Sequence, residues 1–170
     1  DRLTATGVDM SEGMVAQARA KSWPEGVDLV VSDAVAHLES LPADSVDGIL
    51  ACYLLRNVPD RERLVREMAR VLRPGGAVVI HDYSVKGSTR ARAIWAGICH
   101  GVIIPLAVVK GSDVPLHRYL YPSVRDFDSV QEICERLQGA GLVDVRSRSY
   151  TGWQRGLVHT RITVRPVGRS

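Results

Sequence analysis

The 170-residue sequence is poor in cysteine, has no run of charge of one sign, and shows neither an internal repeat nor a low-complexity segment. Cys52, Cys99 and Cys134 are odd in number and widely spaced, which argues against a disulfide framework and offers no metal-ligand rhythm. They read as buried thiols of a reducing compartment, so the cytoplasm is the expected location and no metal is expected. Lysine and arginine total 22 against 19 aspartate and glutamate, a formal charge of +3 with the arginines scattered. That balance argues against a nucleic-acid partner, which would require a concentrated basic face. The longest nearly uncharged stretch, residues 94–109, has 16 residues. It falls short of the roughly 20 that span a bilayer, and the opening residues show no signal-peptide pattern. What is present is a chain of one-domain size with 45% apolar residues, enough for a single core over residues 1–170.

Hydrophobic patterning predicts alternating strands and helices. Residues 3–9 read as a strand, and Ser11 as the cap of a helix whose apolar side carries Met14 and Ala18. Trp23, Pro24, Glu25 and Gly26 end it before a strand over residues 27–31, and a short helix is expected over 35–41. Residues 46–53 are nearly continuously apolar after Asp47, which fits a strand covered by helices on both faces. Asp60 caps the next helix, with Leu64, Met68, Val71 and Leu72 on one side and a Glu62–Arg66 pair on another. Pro74, Gly75 and Gly76 then form a stop and turn before a strand over 77–80. Residues 83–118 break the rhythm: Lys86, Arg90 and Arg92 lead into an apolar segment expected to be a helix interrupted before Pro105. That segment is either a lid over the sheet or part of the core. Ser129 caps a further helix carrying Val130, Ile133, Cys134 and Leu137. Strands over 142–149 and 157–164 close the chain as a hairpin, the second alternating through Val158, Thr160, Ile162 and Val164.

Two carboxylates stand where such a chain binds ligands. Asp9 ends the first strand, and in open α/β sheets the crevice lies outside the carboxyl ends of the strands, where a carboxylate accepts both hydroxyl hydrogens of a ribose. The other reading of Asp9 is a capping residue with no ligand. Asp33 ends the second strand and, beside the small Ala34, can accept from an adenine amine; a turn-forming role is its alternative. No complete GxGxxG loop precedes Asp9, and Gly75–Gly76 follow a helix rather than open one, so they do not supply it.

The order GVDMSEGM at residues 7–14, SDA at 32–34, LLRNVPD at 54–60, RVLRPGG at 70–76, YLYPSV at 119–124, AGL at 140–142 and TG at 151–152 resembles a known family. It is similar to the C-methyltransferases of menaquinone and ubiquinone biosynthesis, class I enzymes that use S-adenosylmethionine. The resemblance implies an α/β, Rossmann-like fold with a mostly parallel sheet and an antiparallel C-terminal edge. It also implies a strand and glycine-rich loop ahead of Gly7; these are absent here, and something upstream is expected to be missing. By the same resemblance Asp9 binds the cofactor ribose, Met10 packs beside the adenine, Asp33 and Ala34 line the adenine pocket, and Asn57 and Val58 lie near the cofactor and the substrate entrance. Arg56, Arg118, Tyr119 and Trp153 are expected on the substrate side.

The implied reaction is attack of an electron-rich ring carbon on the sulfonium methyl, with a neighbouring hydroxyl giving up its proton. His159, His117, His81 and Asp82 are the candidate bases. A histidine titrates near neutrality unaided, and His159 is preferred because it lies in the closing motif of the resemblance. The pattern departs from the family at His81-Asp82-Tyr83-Ser84, where an acidic residue and Phe commonly precede the Ser, and in a closing loop one residue longer than usual. Both departures fall on the substrate side, so another phenolic acceptor stays open. So do an O- or N-methyltransferase of another pathway and a degenerate, non-enzymatic fragment. The expected partners are a small aromatic or isoprenoid quinol and, as open expectations, the membrane surface and a second copy in a homodimer.

Overall fold

The computed structural model describes residues 4–167, apart from the side chain of Trp153. Its first unit runs β1 (Ala5–Asp9), α1 (Glu12–Arg19), β2 (Val27–Val31) and α2 (Ala34–Ser40), with β1 and β2 parallel. Ser11 caps α1 as expected, its hydroxyl accepting from the Met14 N–H at 3.3 Å. The helix is turned relative to expectation: Val15 is buried and Met14 is exposed. Asp33 caps α2 by accepting the N–H groups of Val35 and Ala36, both at 2.9 Å.

The second unit is β3 (Val46–Cys52), a 3₁₀ turn over Leu55–Asn57, α3 (Arg61–Val71) and β4 (Leu72–Tyr83), again with parallel strands. Asp60 accepts from the Arg63 N–H at 2.9 Å and so satisfies an orphan donor of the first turn of α3. Leu64, Val65, Met68 and Val71 then face the sheet. Glu62 does not pair with Arg66; it reaches the Arg136 guanidinium instead, because tertiary contact offers a closer partner than the next helical turn. Pro74–Gly76 is not a free turn. Here β4 continues through it with a bulge, Gly75 at φ +83°, with Gly75 donating to the Arg165 carbonyl at 3.0 Å and Gly76 accepting from the Arg165 N–H at 2.9 Å. A Cβ on Gly76 would stand 2.9 Å from the Arg73 carbonyl oxygen and 3.0 Å from that of Asp47, so only glycine lets the neighbouring backbones approach.

Residues 89–110 form one helix in three parts: α4 (Thr89–Ile98), a π-helical stretch Cys99–Ile103 and α5 (Ile104–Lys110). The α-helix is interrupted before Pro105, as expected: the π turn separates α4 from α5, which restarts with Pro105 in its first turn. The apolar element is longer than expected, for Thr89–Lys110 has 22 residues, and its most apolar 18-residue window, of mean hydropathy 1.8, meets the length and composition of a membrane span. Only 17% of its most apolar window is buried. Ala91, Trp95 and Cys99 pack inward with Val85, Val124, Leu157 and Val158, making a second core cluster with α6 (Val114–Arg125).

Ser129 and Glu132 form a capping box that starts α7 (Val130–Gly139), and β5 (Val143–Ser149) and β6 (Val158–Val164) follow as an antiparallel pair. Strands β3 to β6 make a sheet of order β3-β4-β6-β5, with β6 antiparallel to β4. The expected alternation of β6 is inverted in part: Arg161 and Thr163 are buried against the main core, and Ile162 is exposed. That core joins Val78 and Ile80 of β4 to α2, α3 and α7. The opposite face is covered only near the strand ends by α4 and α6, which leaves Leu50 69% exposed. Full coverage of β3 was expected, and among the described residues it is not met. In the same set β1 and β3 each have one unpaired edge, so the strands divide into a two-stranded and a four-stranded sheet.

Candidate active site

Asp9 and Asp33 come to the carboxyl ends of β1 and β2, which pair in register from Ala5 with Val27 to Asp9 with Val31. Both are exposed, and neither is wholly committed to its turn. Asp9 accepts the Ser11 N–H through Oδ1 at 2.8 Å, which fixes the carboxylate without using Oδ2. Asp33 likewise spends Oδ1 on α2, so a ligand contact falls to its second oxygen. Met10 is 74% exposed beside Asp9, and Ala34 opens α2. Two carboxylates and a flexible apolar side chain at adjacent strand ends fit the ribose and adenine of a nucleoside cofactor.

A corner between β3 and α3 brings polar groups to the same end of the larger sheet. Arg56 lies 3.4 Å from Asp82 (Nε to Oδ1) and donates to the Ser123 hydroxyl of α6 at 3.0 Å. Asn57 donates to the Tyr53 carbonyl at 3.0 Å and holds the corner. Val58 turns into the core and is not brought to the crevice. Asp82 is fully buried and accepts the Tyr83 N–H at 2.8 Å. Burial holds its carboxyl above the ordinary 3.8, although Arg56 and Arg161 pull it down. Arg161, 0% exposed, has no hydrogen-bond partner on any of its three guanidinium nitrogens among the described residues. Arg56, Asp82 and Arg161 therefore form a buried charge series beneath the corner, with Arg56 as its outermost member.

On the other face of β4 the side chains are aromatic. Tyr53, just past β3, places its hydroxyl 3.2 Å from His81 Nε2, and His81 Nδ1 lies 2.9 Å from the Thr160 hydroxyl. Tyr83 and Tyr150 ring the same spot, with centroids 5.3 Å from Tyr53 and 5.7 Å from His81, and Trp95 of α4 stacks 5.0 Å from Tyr83. Tyr53, Thr160 and Ser123 were not singled out as site residues from sequence, and Tyr83 only within the departure from the family pattern at residues 81–84. The two-residue spacing of His81 and Tyr83 was the readable signal, since alternate strand residues share a face.

The other candidates are dispersed. His159 sits opposite Asp82 across β4 and β6, one residue from Thr160 and hence on the opposite face from His81. Burial, with the nearby Arg161 charge, holds its imidazole below the ordinary 6.5. His117 donates from Nδ1 to the Asp113 carbonyl at 2.6 Å within its own helix. Arg118 and Tyr119 lie on exposed positions of α6. The Trp153 side chain lies outside the described residues. A cavity of about 460 Å³ bounded by Arg66, Arg70, Leu142 and Arg165 contains none of the candidate residues.

Residues 1–164 match the model of the ubiE/COQ5 methyltransferase family. The chain is 34% identical over 146 residues to a demethylmenaquinone methyltransferase of Mycolicibacterium vanbaalenii, covering 85% of this chain and 60% of the relative. It is 34% identical over 153 residues to the ubiquinone/menaquinone biosynthesis C-methyltransferase UbiE of Geobacter sulfurreducens, covering 88% and 59%. It thus spans about three fifths of the length of these relatives. A SAM-dependent methyltransferase structure from Archaeoglobus fulgidus superposes with TM-score 0.65 at 15% identity, over 94% of this chain and 75% of that one. The fold is the Rossmann-like one of S-adenosylmethionine-dependent methyltransferases. The chain belongs to the ubiE/COQ5 methyltransferase family.

Proposed function

We propose that the protein transfers a methyl group from S-adenosylmethionine to a ring carbon of an aromatic or isoprenoid quinol. The observation that carries this reading is the family match over residues 1–164, within which Asp9, Asp33 and the Arg56–Asn57 corner occupy strand ends. When bound, S-adenosylmethionine supplies the electrophilic methyl. Asp9 accepts the ribose hydroxyls, Met10 and Ala34 border the adenine, Asp33 accepts from its amine, and Asn57 closes the cofactor side of the corner. Arg56 faces the acceptor oxygen as an oxyanion stabiliser, held by Asp82 behind it and Ser123 beside it. Arg118, Tyr119 and Trp153 are assigned to the outer acceptor wall, and residues 83–118 to its cover. Catalysis then rests largely on holding ring carbon and methyl in line at about 3–3.5 Å.

The reading places the enzyme in the cytoplasm and brings it to the membrane surface for an isoprenoid substrate. Val102, Leu106 and Val109 are exposed on the 89–110 helix, with Lys86, Arg90 and Arg92 near its start. Co-sedimentation of the full-length protein with anionic liposomes is expected to fall in the V102E/L106E double variant; equal sedimentation would remove the membrane contact. Methyl transfer itself is tested by a radiolabel screen of reduced demethylmenaquinone against simple phenols and amines. Label is expected in the quinol, and label confined to an amine or a simple phenol would refute the quinol assignment. The polar cluster around His81 favours one second reading, a phenolic acceptor other than an isoprenoid quinol.

A further inference from the structure

The Tyr53, His81 and Thr160 side chains form a continuous hydrogen-bonded chain that ends at a phenol hydroxyl beside the crevice. Its direction follows from the His81 tautomer, taken as the Nδ1–H form. With Nδ1–H donating to Thr160 Oγ1, His81 Nε2 is left as the acceptor of the Tyr53 O–H. Thr160 is fixed by strand register, directly opposite His81 on β6. Tyr53 is held by its own backbone, since its N–H donates to the His81 carbonyl at 2.8 Å and its carbonyl accepts from Asn57. Its φ of +53° is a left-handed conformation that a tyrosine adopts only when its surroundings impose it, and such residues gather at functional sites. Tyr53 is also 38% exposed, whereas its partners are less so; the chain therefore opens outward at its phenol. His81 and Tyr83 are among the residues at which the sequence leaves the family pattern, and here they lie in one cluster.

We propose that Tyr53, backed by His81 and Thr160, is the proton-accepting subsite for a phenolic hydroxyl of the methyl acceptor, walled by Tyr83, Tyr150 and Trp95. This rests on the methyl-transfer reading above and gives the proton a route separate from His159, which lies on the opposite face of β6. The acceptor O–H bond breaks as its proton passes to Tyr53 Oη; the Tyr53 O–H bond breaks as its own proton passes to His81 Nε2, forming an imidazolium. The Tyr53 hydroxyl, neutral throughout, then donates to the acceptor oxyanion. Burial and the neighbouring Tyr83 hold the Tyr53 phenol above its ordinary 10, which keeps it a relay rather than a phenolate. The other titratable or charged groups on this face of the sheet are Tyr83, Tyr150, Cys52 across from His81 on β3, and Arg148 and Arg146 across from Thr160 and Ile162 on β5. Asp82 and His159 point to the other face.

The test uses the full-length protein, the Y53F and H81Q variants, and 1-naphthol as a phenol probe. Imidazole NMR is expected to show the His81 titration moving when 1-naphthol binds wild type, with no movement in Y53F. In turnover, Y53F and H81Q are each expected to lose about a hundredfold or more of kcat, in line with general acid–base catalysis, with little change in S-adenosylmethionine affinity. An unmoved His81 titration in naphthol-bound wild type, or full kcat in Y53F, would overturn the subsite. A Tyr53-dependent naphthol response in a protein that methylates no quinol would uphold the subsite and overturn the quinol assignment.

Discussion

Asp9 and Asp33 occupy equivalent strand-end positions but are restrained differently, Asp9 by one N–H of a turn and Asp33 by two N–H groups of a helix. Asp9 is thus freer to accept two ribose hydroxyls, each charge-assisted bond contributing about 1.5–3 kcal/mol. D9A in the full-length protein is expected to weaken S-adenosylmethionine binding by tens- to hundreds-fold in calorimetry with the melting temperature little changed. Equal affinity would remove its ribose role. His159 makes a different prediction, because burial depresses its imidazole below 6.5. The unfolded chain then binds the proton more readily than the folded one, so this stability is present above 6.5 and is lost as pH falls through the folded value. Urea midpoints at about pH 7.5 and about pH 5.5 are expected to differ less in H159N than in wild type. Asp82 has the opposite sign: its raised folded value means that its contribution to stability declines as pH rises through that value. Both strand-end carboxylates were legible in the sequence by position, and the histidines by residue type alone. The pairing of His81 with Thr160 was not, because a partner 79 residues away is set by β-sheet register.

Among the elements, α3 was the most readable, since its cap, apolar stripe and charged outer face all follow one helical period. Leu64 and Met68 are nearly inaccessible beneath it, so L64A or M68A is expected to cost about 2–5 kcal/mol in denaturant unfolding, through lost burial and the residual cavity. S129A is expected to cost about 1 kcal/mol by breaking the capping box of α7. Less readable were the elements whose local signals are overridden. Pro74–Gly76 carries turn residues, yet Gly75 and Gly76 extend β4 because Arg165 supplies the pairing partner. Met14 and Val15 trade faces because a stripe this short fixes helix rotation only loosely, and tertiary packing decides it. Cys52 was expected to be buried and is exposed on the sheet face that α4 and α6 leave open. Cys99 is buried, and its thiol is pushed up to about 11.

At the scale of the whole molecule, the two parallel units place Asp9 and Asp33 at the strand ends of the smaller sheet, while the larger sheet carries the Arg56 corner and the Tyr53 cluster. The antiparallel pairing of β5 and β6 was legible in the sequence. The separation into two sheets was not, because it depends on which strand edges find partners. Residues 89–125 carry an apolar exterior, with Val102, Leu106 and Val109 exposed, and an interior in which Trp95 meets Tyr83. Ring-carbon methylation is tested most directly by incubating the full-length protein with ¹³C-methyl S-adenosylmethionine and reduced demethylmenaquinone, then locating the label by carbon NMR. The expected product carries the labelled methyl bonded to a quinol ring carbon. Label on oxygen, or no label in the quinol from a protein that binds S-adenosylmethionine, would contradict it.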